Sequence, residues 1–267
     1  SGFIKQALLI APEKRIAVHC WRGGMRSGAM AWALDLYGFQ VYVITGGYKT
    51  YRTWALEKFN DPLCIKVLGG MTGSGKTQTL HQLKVLNEQV VDLEDLAKHQ
   101  GSSYGSMNSM LQPTQEQFEN DFAFQLQQFD VTKPIWVEDE SLTIGKRCIP
   151  HGFWKQMRLA SLIFLEVPLY ERIENLVAQY GALDKDFLIS STERIHKRLG
   201  PEQTKQAIEA IKENRMADFI RLVLVYYDKT YRNGLSKRNA QNIHILTFEN
   251  IPTLETVKRL LEFSVPV

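Results

Sequence analysis

Leu63-Cys-Ile-Lys-Val-Leu68 runs into Gly69-Gly-Met-Thr-Gly-Ser-Gly-Lys-Thr77, and a helical pattern follows at once. Residues 70–77 satisfy G-x-x-x-x-G-K-[ST] in full, between an apolar run that reads as a strand and a stretch that reads as a helix. The spacing has a chemical reason. Glycines at 70, 73 and 75 let the backbone curl so that successive N–H groups point inward at phosphate oxygens, with a helix N-terminus behind them. Lys76 is placed to bridge terminal phosphates, and the Thr77 hydroxyl to ligate Mg²⁺. Gly70, Gly73, Ser74, Gly75, Lys76 and Thr77 are the candidate phosphate-binding set. The motif predicts a di- or triphosphate ligand and leaves open what carries the phosphates.

Further strand-like runs follow at Gln89–Leu93, Pro134–Glu138, Ala160–Val167 and Asn242–Leu246, with helical stretches between them. Strands alternating with helices predict an α/β fold with a doubly wound parallel sheet. A phosphate loop also calls for a carboxylate at the end of a neighbouring strand. Asp139, in Ile135-Trp-Val-Glu-Asp139-Glu140-Ser141, is the first choice for the metal's water shell, and Asp92, after Val90-Val91, is its rival. Either also fits a helix N-cap. From Ser191 to Asp228 the chain reads as mostly helical and rich in Lys and Arg, and basic residues run on to Lys237-Arg238.

The turn-forming cluster Asn60-Asp61-Pro62 divides the chain into domains at 1–60 and 61–267. In the first part, Arg15–His19 and Val41–Ile44 read as short strands. Between them a helix from about Ser27 to Tyr37 is stopped by Gly38, and another helix runs from Tyr48 to Phe59.

The first strand feeds His19-Cys20-Trp21-Arg22-Gly23-Gly24-Met25-Arg26-Ser27. A cysteine directly after a buried strand, followed by a glycine-bearing loop and a helix start, sits in a ring of inward-facing amides. Arg22 and Arg26 add positive charge. That setting lowers a thiol's pKa and suits a tetrahedral oxyanion. Cys20, Arg22 and Arg26 are the candidate catalytic residues, and Trp21, Gly23, Gly24, Met25 and Ser27 complete the anion loop. Trp21 fits stacking on a base or a prenyl chain, and equally fits core packing. Cys64 and Cys148 lack such surroundings, and Cys64 reads as core.

The chain has 267 residues, 44% hydrophobic and 23% charged, an ordinary globular mixture that argues against disorder. Its net charge of +3 does not announce a nucleic-acid binder. Three scattered cysteines make no disulfide framework, which predicts an intracellular, cytoplasmic protein. No apolar run approaches the roughly 18 residues of a membrane span. The start, Ser-Gly-Phe-Ile-Lys, is no signal peptide and lacks an initiator Met, which predicts that a preceding segment has been removed.

His-Cys-x5-Arg-Ser matches the cysteine-dependent phosphatase signature, while rhodanese domains use a similar loop, usually one residue shorter. Val43-Ile-Thr-Gly46-Gly47-Tyr48-Lys49 resembles the strand and Gly-Gly turn that follow the active-site helix of rhodaneses. Fused to a P-loop domain, that arrangement resembles the tRNA 2-selenouridine synthase family over nearly the whole chain. The resemblance is carried by Cys20–Ser27, Gly46–Lys49, Gly69–Thr77, Val91–Ser102, Trp136–Ser141, Ile195-His-Lys-Arg-Leu-Gly200 and Tyr226-Tyr-Asp-Lys-Thr-Tyr-Arg232, in that order.

The resemblance implies a rhodanese-like domain, of which the chain carries the C-terminal part only, followed by a P-loop NTPase-like parallel-sheet domain with extra C-terminal helices. It implies an enzyme that converts wobble 2-thiouridine in tRNA to S-geranyl-2-thiouridine with geranyl diphosphate, and then to 2-selenouridine with selenophosphate. Cys20 falls on the family's essential cysteine and Gly70–Thr77 on its phosphate loop. On that basis the loop holds geranyl diphosphate with Mg²⁺ on Thr77 and Asp139, and Cys20 engages selenophosphate or carries selenium as a perselenide. A complete rhodanese domain places more strands and helices before its cysteine, and nineteen residues precede it here.

Transfer RNA must be held through its phosphates by Lys and Arg. The densest basic stretch is Arg194-Ile-His-Lys197-Arg198; Arg194 and Arg198 share a face in a continuous helix and fit tRNA contacts or lid arginines over the diphosphate. Three other readings fit parts of the sequence: a P-loop small-molecule kinase with a rhodanese remnant, a cysteine phosphatase or sulfurtransferase, and a non-catalytic tRNA-binding module.

Overall fold

The computed structural model describes residues 2–100, 104 and 111–262. Gly101 and Ser102, which end one of the stretches quoted above, lie outside the described residues. The chain forms two compact units, Ser1–Asp61 and Pro62–Val267.

In the N-terminal unit α1 (Gly2–Ile10) precedes β1 (Arg15–Val18), α2 (Met25–Asp35), β2 (Gln40–Val43), α3 (Gly47–Glu57) and a 3₁₀ turn at Lys58–Asn60. The strands pair in parallel, with Arg15 opposite Gln40 and Val18 opposite Val43, so α2 is the crossover of a βαβ unit. Ile4 and Ala7 of α1 pack with Leu34, Phe39 and the half-buried Ile16, Val18 and Val41. Gly38, at φ 78°, turns the chain out of α2, and the Phe39 N–H reaches back to Leu34 O at 3.2 Å. A βαβ unit recurs in many α/β folds and does not by itself single out a rhodanese.

The C-terminal unit runs β3 (Ile65–Gly70), α4 (Lys76–Val85), β4 (Gln89–Val91), α5 (Leu93–Ala97), α6 (Gln115–Gln127) and β5 (Ile135–Glu138). A hairpin of β6 (Thr143–Ile144) and β7 (Arg147–Cys148) leads to α7 (His151–Leu159) and β8 (Ser161–Glu166). A helical layer follows: α8 (Leu169–Tyr180), α9 (Lys185–Arg194), α10 (His196–Leu199), α11 (Pro201–Lys212) and α12 (Met216–Leu235). The unit closes with β9 (Ile243–Thr247) and α13 (Leu254–Glu262).

Five strands make one all-parallel sheet in the order β4-β5-β3-β8-β9. The first strand, β3, lies at the centre, and the chain builds to one side of it and then to the other. The carboxyl ends of the strands at such a reversal are where ligands bind in open α/β sheets. All four residues of β5 and residues 67–70 of β3 are buried, which is why these strands read as apolar runs without alternation. Leu68, Leu80, Leu83, Trp136, Ile163, Leu165 and Val257 form the core on the side of α4 and α13. The helical layer has its own core of Leu176, Leu188, Leu199, Ile211, Phe219, Ile220 and Val223, joined by Tyr104. Tyr104 is fully buried, and its hydroxyl lies 2.9 Å from Thr192 Oγ1. No described helix is long and apolar enough to cross a membrane.

The local details differ from the sequence expectations in three places. Leu93 opens α5 because Asp92 caps that helix, accepting from the Asp95 N–H at 2.9 Å. Cys64 sits half-buried just before β3 and not in the core. The basic stretch is interrupted at Ile195, between α9 and α10, so Arg194 and Arg198 belong to different helices and share no helical face.

Candidate functional site

The phosphate loop leaves the centre of the sheet at Gly70 and enters α4 at Lys76. Gly73 and Gly75 take φ of 85° and 79°, conformations that L side chains rarely adopt, and Gly75 is the N-cap of α4. A Cβ on Gly73 would also lie 2.7 Å from Arg172 O, so the loop can pass α8 only as glycine. Ser74 is fully buried, and its Oγ has no hydrogen-bond partner. An orphaned buried hydroxyl is rare unless a ligand or water completes it.

Lys76 Nζ lies 3.5 Å from Met71 O and 3.6 Å from Glu138 Oε1, and the Thr77 hydroxyl donates to Glu138 Oε2 at 3.1 Å. The carboxylate beside the phosphate loop is therefore Glu138, the last residue of β5, and not its neighbour Asp139. The Asp139 Oδ1 accepts from Arg238 at 2.6 Å and lies 3.5 Å from Arg158, while its Oδ2 accepts from the Tyr231 hydroxyl at 2.9 Å. With two guanidinium groups and a phenol upon it, Asp139 is committed to protein partners. Asp92 is committed as well, to its helix cap and to His81 Nε2 at 3.1 Å.

A cavity of about 990 Å³ opens over the loop. Its lining includes Lys76, Thr77, Glu138, Glu94 and Glu140, together with Trp154, Tyr180, Tyr226, Tyr227 and Tyr231. Burial pushes the Glu138 carboxyl up, against the pull of Lys76 and the Thr77 hydroxyl. Burial raises Glu140 to about 8, with Glu138 adding repulsion. Burial likewise raises Glu94 to about 10, with Glu138 and Glu140 next in weight and Lys76 opposing. Three crowded carboxyls cannot all be ionised together, and a bound cation competes with the protons they hold. Among the described residues no cluster of three His, Cys, Asp or Glu side chains has metal-holding geometry. The donor set still fits Mg²⁺, which takes one or two protein ligands and completes its octahedron with water and substrate phosphates. Thr77 and Glu138 are the residues placed to hold it.

The basic stretch divides. Arg198 lines the cavity and donates to the Tyr226 hydroxyl at 3.1 Å. Arg194 donates to Ser191 Oγ at 2.5 Å, and Lys197 is exposed. Lys237 also lines the cavity, whereas Arg238 is buried on Asp139 and unavailable to tRNA phosphates.

In the N-terminal unit Cys20 follows β1, and its sulfur accepts from the Gly24 N–H at 3.2 Å and the Ser27 hydroxyl at 3.4 Å. The Ser27 hydroxyl and then the Gly24 amide, helped by the amides of Arg22 and Ser27, lower the thiol to about 6. Hydrogen bonds rather than arginine charge lead this shift. Trp21, Arg22, Met25 and Arg26 are exposed, and Ser27 is buried. The Gly46-Gly47 turn closes on the back of the loop: the Tyr48 N–H donates to Cys20 O and the Lys49 N–H to Trp21 O, both at 2.9 Å. A Cβ on Gly47 would collide with Cys20 O, and one on Gly23 would lie 2.5 Å from Gly47 N, so both positions need glycine. The Trp21 and Tyr48 rings lie 5.5 Å apart, and the aromatic run continues through Tyr51 to Trp54 along α3. Trp21 is 53% exposed, so it is not core.

Glu138, Glu94, Glu140, Arg158 and Arg172 escaped the sequence reading. Glu138 ends β5 and Glu140 lies two residues beyond it, past the tight turn in which the Glu140 N–H donates to Glu138 O. The others are joined to the site only by the fold.

A sequence profile described as the tRNA 2-selenouridine synthase AAA domain matches residues 64–254. The tRNA 2-selenouridine synthase of Nitrosomonas europaea is 30% identical over 89% of this chain and 76% of its own length. Those of Shewanella frigidimarina and Shewanella piezotolerans are 33% and 32% identical over 89% of this chain and 74% and 75% of theirs. The C-terminal unit alone is too short to make up 89% of the chain, so these matches reach into the N-terminal unit. Solved structures from Thermus thermophilus and Eubacterium ventriosum align over 75% of this chain and 95% and 97% of theirs. Their identities are 14% and 9% and their TM-scores 0.39 and 0.32.

Proposed function

The chain belongs to the tRNA 2-selenouridine synthase family, and from that premise we propose that it replaces sulfur by selenium at wobble 2-thiouridine of tRNA in two transfers, each served by one of its anion loops. The observation that supports the division is chemical. One loop presents a lysine, a hydroxyl and a buried carboxyl, and no thiol; the other presents a thiol lowered to about 6.

In the first transfer the phosphate loop holds geranyl diphosphate. The thiouridine sulfur attacks the geranyl C1, the C1–O bond breaks, diphosphate leaves and the N3 proton passes to solvent. Lys76 and the loop amides meet charge as it builds on the departing diphosphate, electrostatic stabilisation of the kind that costs 10²–10³-fold when one donor is lost. Mg²⁺ held by Thr77 and Glu138 would supply further charge neutralisation there. In the second transfer the rhodanese-like loop of Cys20, Arg22 and Arg26 engages selenophosphate, selenium attacks C2, the geranylated sulfur departs as geranylthiolate and takes up a proton, and water then cleaves the Se–P bond, releasing phosphate and leaving 2-selenouridine. The exposed Arg194 and Lys197 fit tRNA phosphate contacts, and Arg198 fits a lid over the diphosphate.

The test is mass spectrometry of nucleosides from 2-thiouridine tRNA incubated with geranyl diphosphate and selenophosphate. Lys76→Ala is expected to lose geranylation by about 100-fold or more. Cys20→Ser is expected to geranylate normally and yield no 2-selenouridine. Saturating ATP that fails to compete with geranyl diphosphate, or a Cys20→Ser variant that still selenates, would overturn the assignment.

A further inference from the structure

Three hydrogen bonds fasten the backbone of the phosphate loop to two helices that come much later in the chain. On α12, the Tyr231 hydroxyl accepts from the Gly70 N–H at 3.0 Å and donates to Asp139. It sits in a notch that exists only because residue 69 is glycine, where a Cβ would lie 2.6 Å from the hydroxyl oxygen. On α8, the buried Arg172 donates its Nε–H to Thr72 O at 2.9 Å, and Asn175, one turn on, donates to Gly73 O at 2.9 Å. The Arg172 guanidinium then closes a bidentate pair with Asp228, at 3.1 and 2.5 Å. Asp228 and Tyr231 stand three residues apart and so share one face of α12. The network also accounts for Asp139. Its oxygens are filled by Arg238 and Tyr231, so it orients the phenol instead of meeting a metal.

We propose that Tyr231 and the Arg172–Asp228 pair are positioning residues of the phosphate loop, bracing Gly70 to Gly73 from outside so that anion binding and the seating of α12 form one equilibrium. A curl of glycines has many alternative conformations, and binding must order them unless something already has. The brace supplies that order before the anion arrives. By linkage, the anion must then favour the seated α12 as strongly as the seated helix favours the anion. The same helix carries Tyr226, Tyr227 and Thr230 to the cavity wall, with Arg198 on Tyr226, so seating it also shapes the space beyond the phosphates. The proposal rests on the reading that this loop binds a diphosphate.

Inorganic pyrophosphate with Mg²⁺ is the probe, titrated by calorimetry into the whole chain as wild type, Tyr231→Phe and Asp228→Asn. Amide exchange in α12 is followed with and without it. The pyrophosphate Kd is expected to rise about tenfold in Tyr231→Phe, the scale of one well-placed hydrogen bond. The KM for geranyl diphosphate should rise in step, with kcat at saturation within about twofold. Pyrophosphate should slow exchange along α12 in the wild type and not in Tyr231→Phe. Asp228→Asn, which keeps the shape of the side chain, carries the same test if the first variant does not fold. Unchanged pyrophosphate affinity in folded variants overturns the positioning role, even if their Tm falls. A wild type that binds no pyrophosphate overturns the diphosphate reading itself and the proposal with it.

Discussion

The cysteine loop and the phosphate loop each set a glycine-bearing turn between a parallel strand and a helix N-terminus, yet one is mostly exposed and the other half-buried to buried. The partners of Cys20 Sγ are Gly24 and Ser27, four and seven residues away. Those of the phosphate loop are Glu138, Arg172, Asn175 and Tyr231, between 61 and 161 residues away. The first site tunes a single atom with its own amides and one hydroxyl. The second gathers charges from β5, α5, α8 and α12, and its electrostatics depend on how those elements pack. A site of the first kind can be adjusted by changing a neighbour in sequence; the second answers to substitutions far from the motif.

The sharpest way to break this contrast is at adjacent carboxylates. Glu138→Gln removes the group on Thr77 and Lys76, and is expected to lower geranylation about 100-fold and blunt its response to Mg²⁺. Asp139→Asn should leave the Mg²⁺ concentration dependence unchanged while weakening the brace. If the two variants exchange these behaviours, Asp139 is the metal carboxylate after all.

A middle-sized effect tests the cysteine side. Ser27→Ala removes the largest cause of the lowered thiol, so the Cys20 pKa must move up from about 6. Alkylation by iodoacetamide at pH 6 is expected to slow about fivefold for a rise of one unit, and to match the wild type near pH 9, where both thiols are ionised. Lys76→Ala should leave this profile untouched, and a shift there would deny that the first site is self-contained.

The smallest effect is on stability. Glu140 sits at about 8 and Glu94 at about 10 in the folded chain, against 4.5 ordinarily, so the folded state holds protons that the unfolded state has released. Their contribution is full below the ordinary value and is lost as pH climbs through the folded one. The Tm without Mg²⁺ is therefore expected to fall between pH 6 and pH 9. Glu140→Gln should flatten the part of that fall below pH 8. An unchanged slope would mean that the carboxyls are not crowded.

The parallel α/β fold and the placement of the phosphate loop were legible because strand runs, breaker glycines and a helix start are all local signals. The cap at Asp92 was legible only as an alternative, since an aspartate before a helix looks the same whether it caps or binds metal. Glu138 was hidden by its neighbours: Glu138-Asp139-Glu140 offers three carboxylates, and only the pairing of β5 with β3 decides which one faces Thr77. The break at Ile195 was invisible because nothing there is a proline or glycine. Arg238 read as surface charge because its partner, Asp139, is 99 residues earlier.

The span between Gly70 and Tyr231 has a consequence for the order in which the molecule matures. Contacts close in sequence form early, and those that must close long loops form late. During synthesis the Cys20 ring can close once the Gly46-Gly47 turn has emerged. The phosphate loop, though encoded soon afterwards, lacks its Tyr231 fastening, and Arg172 lacks its Asp228 partner, until α12 has left the ribosome, some 160 residues later. A nascent chain of this protein thus acquires its reactive thiol long before it acquires a braced seat for diphosphate.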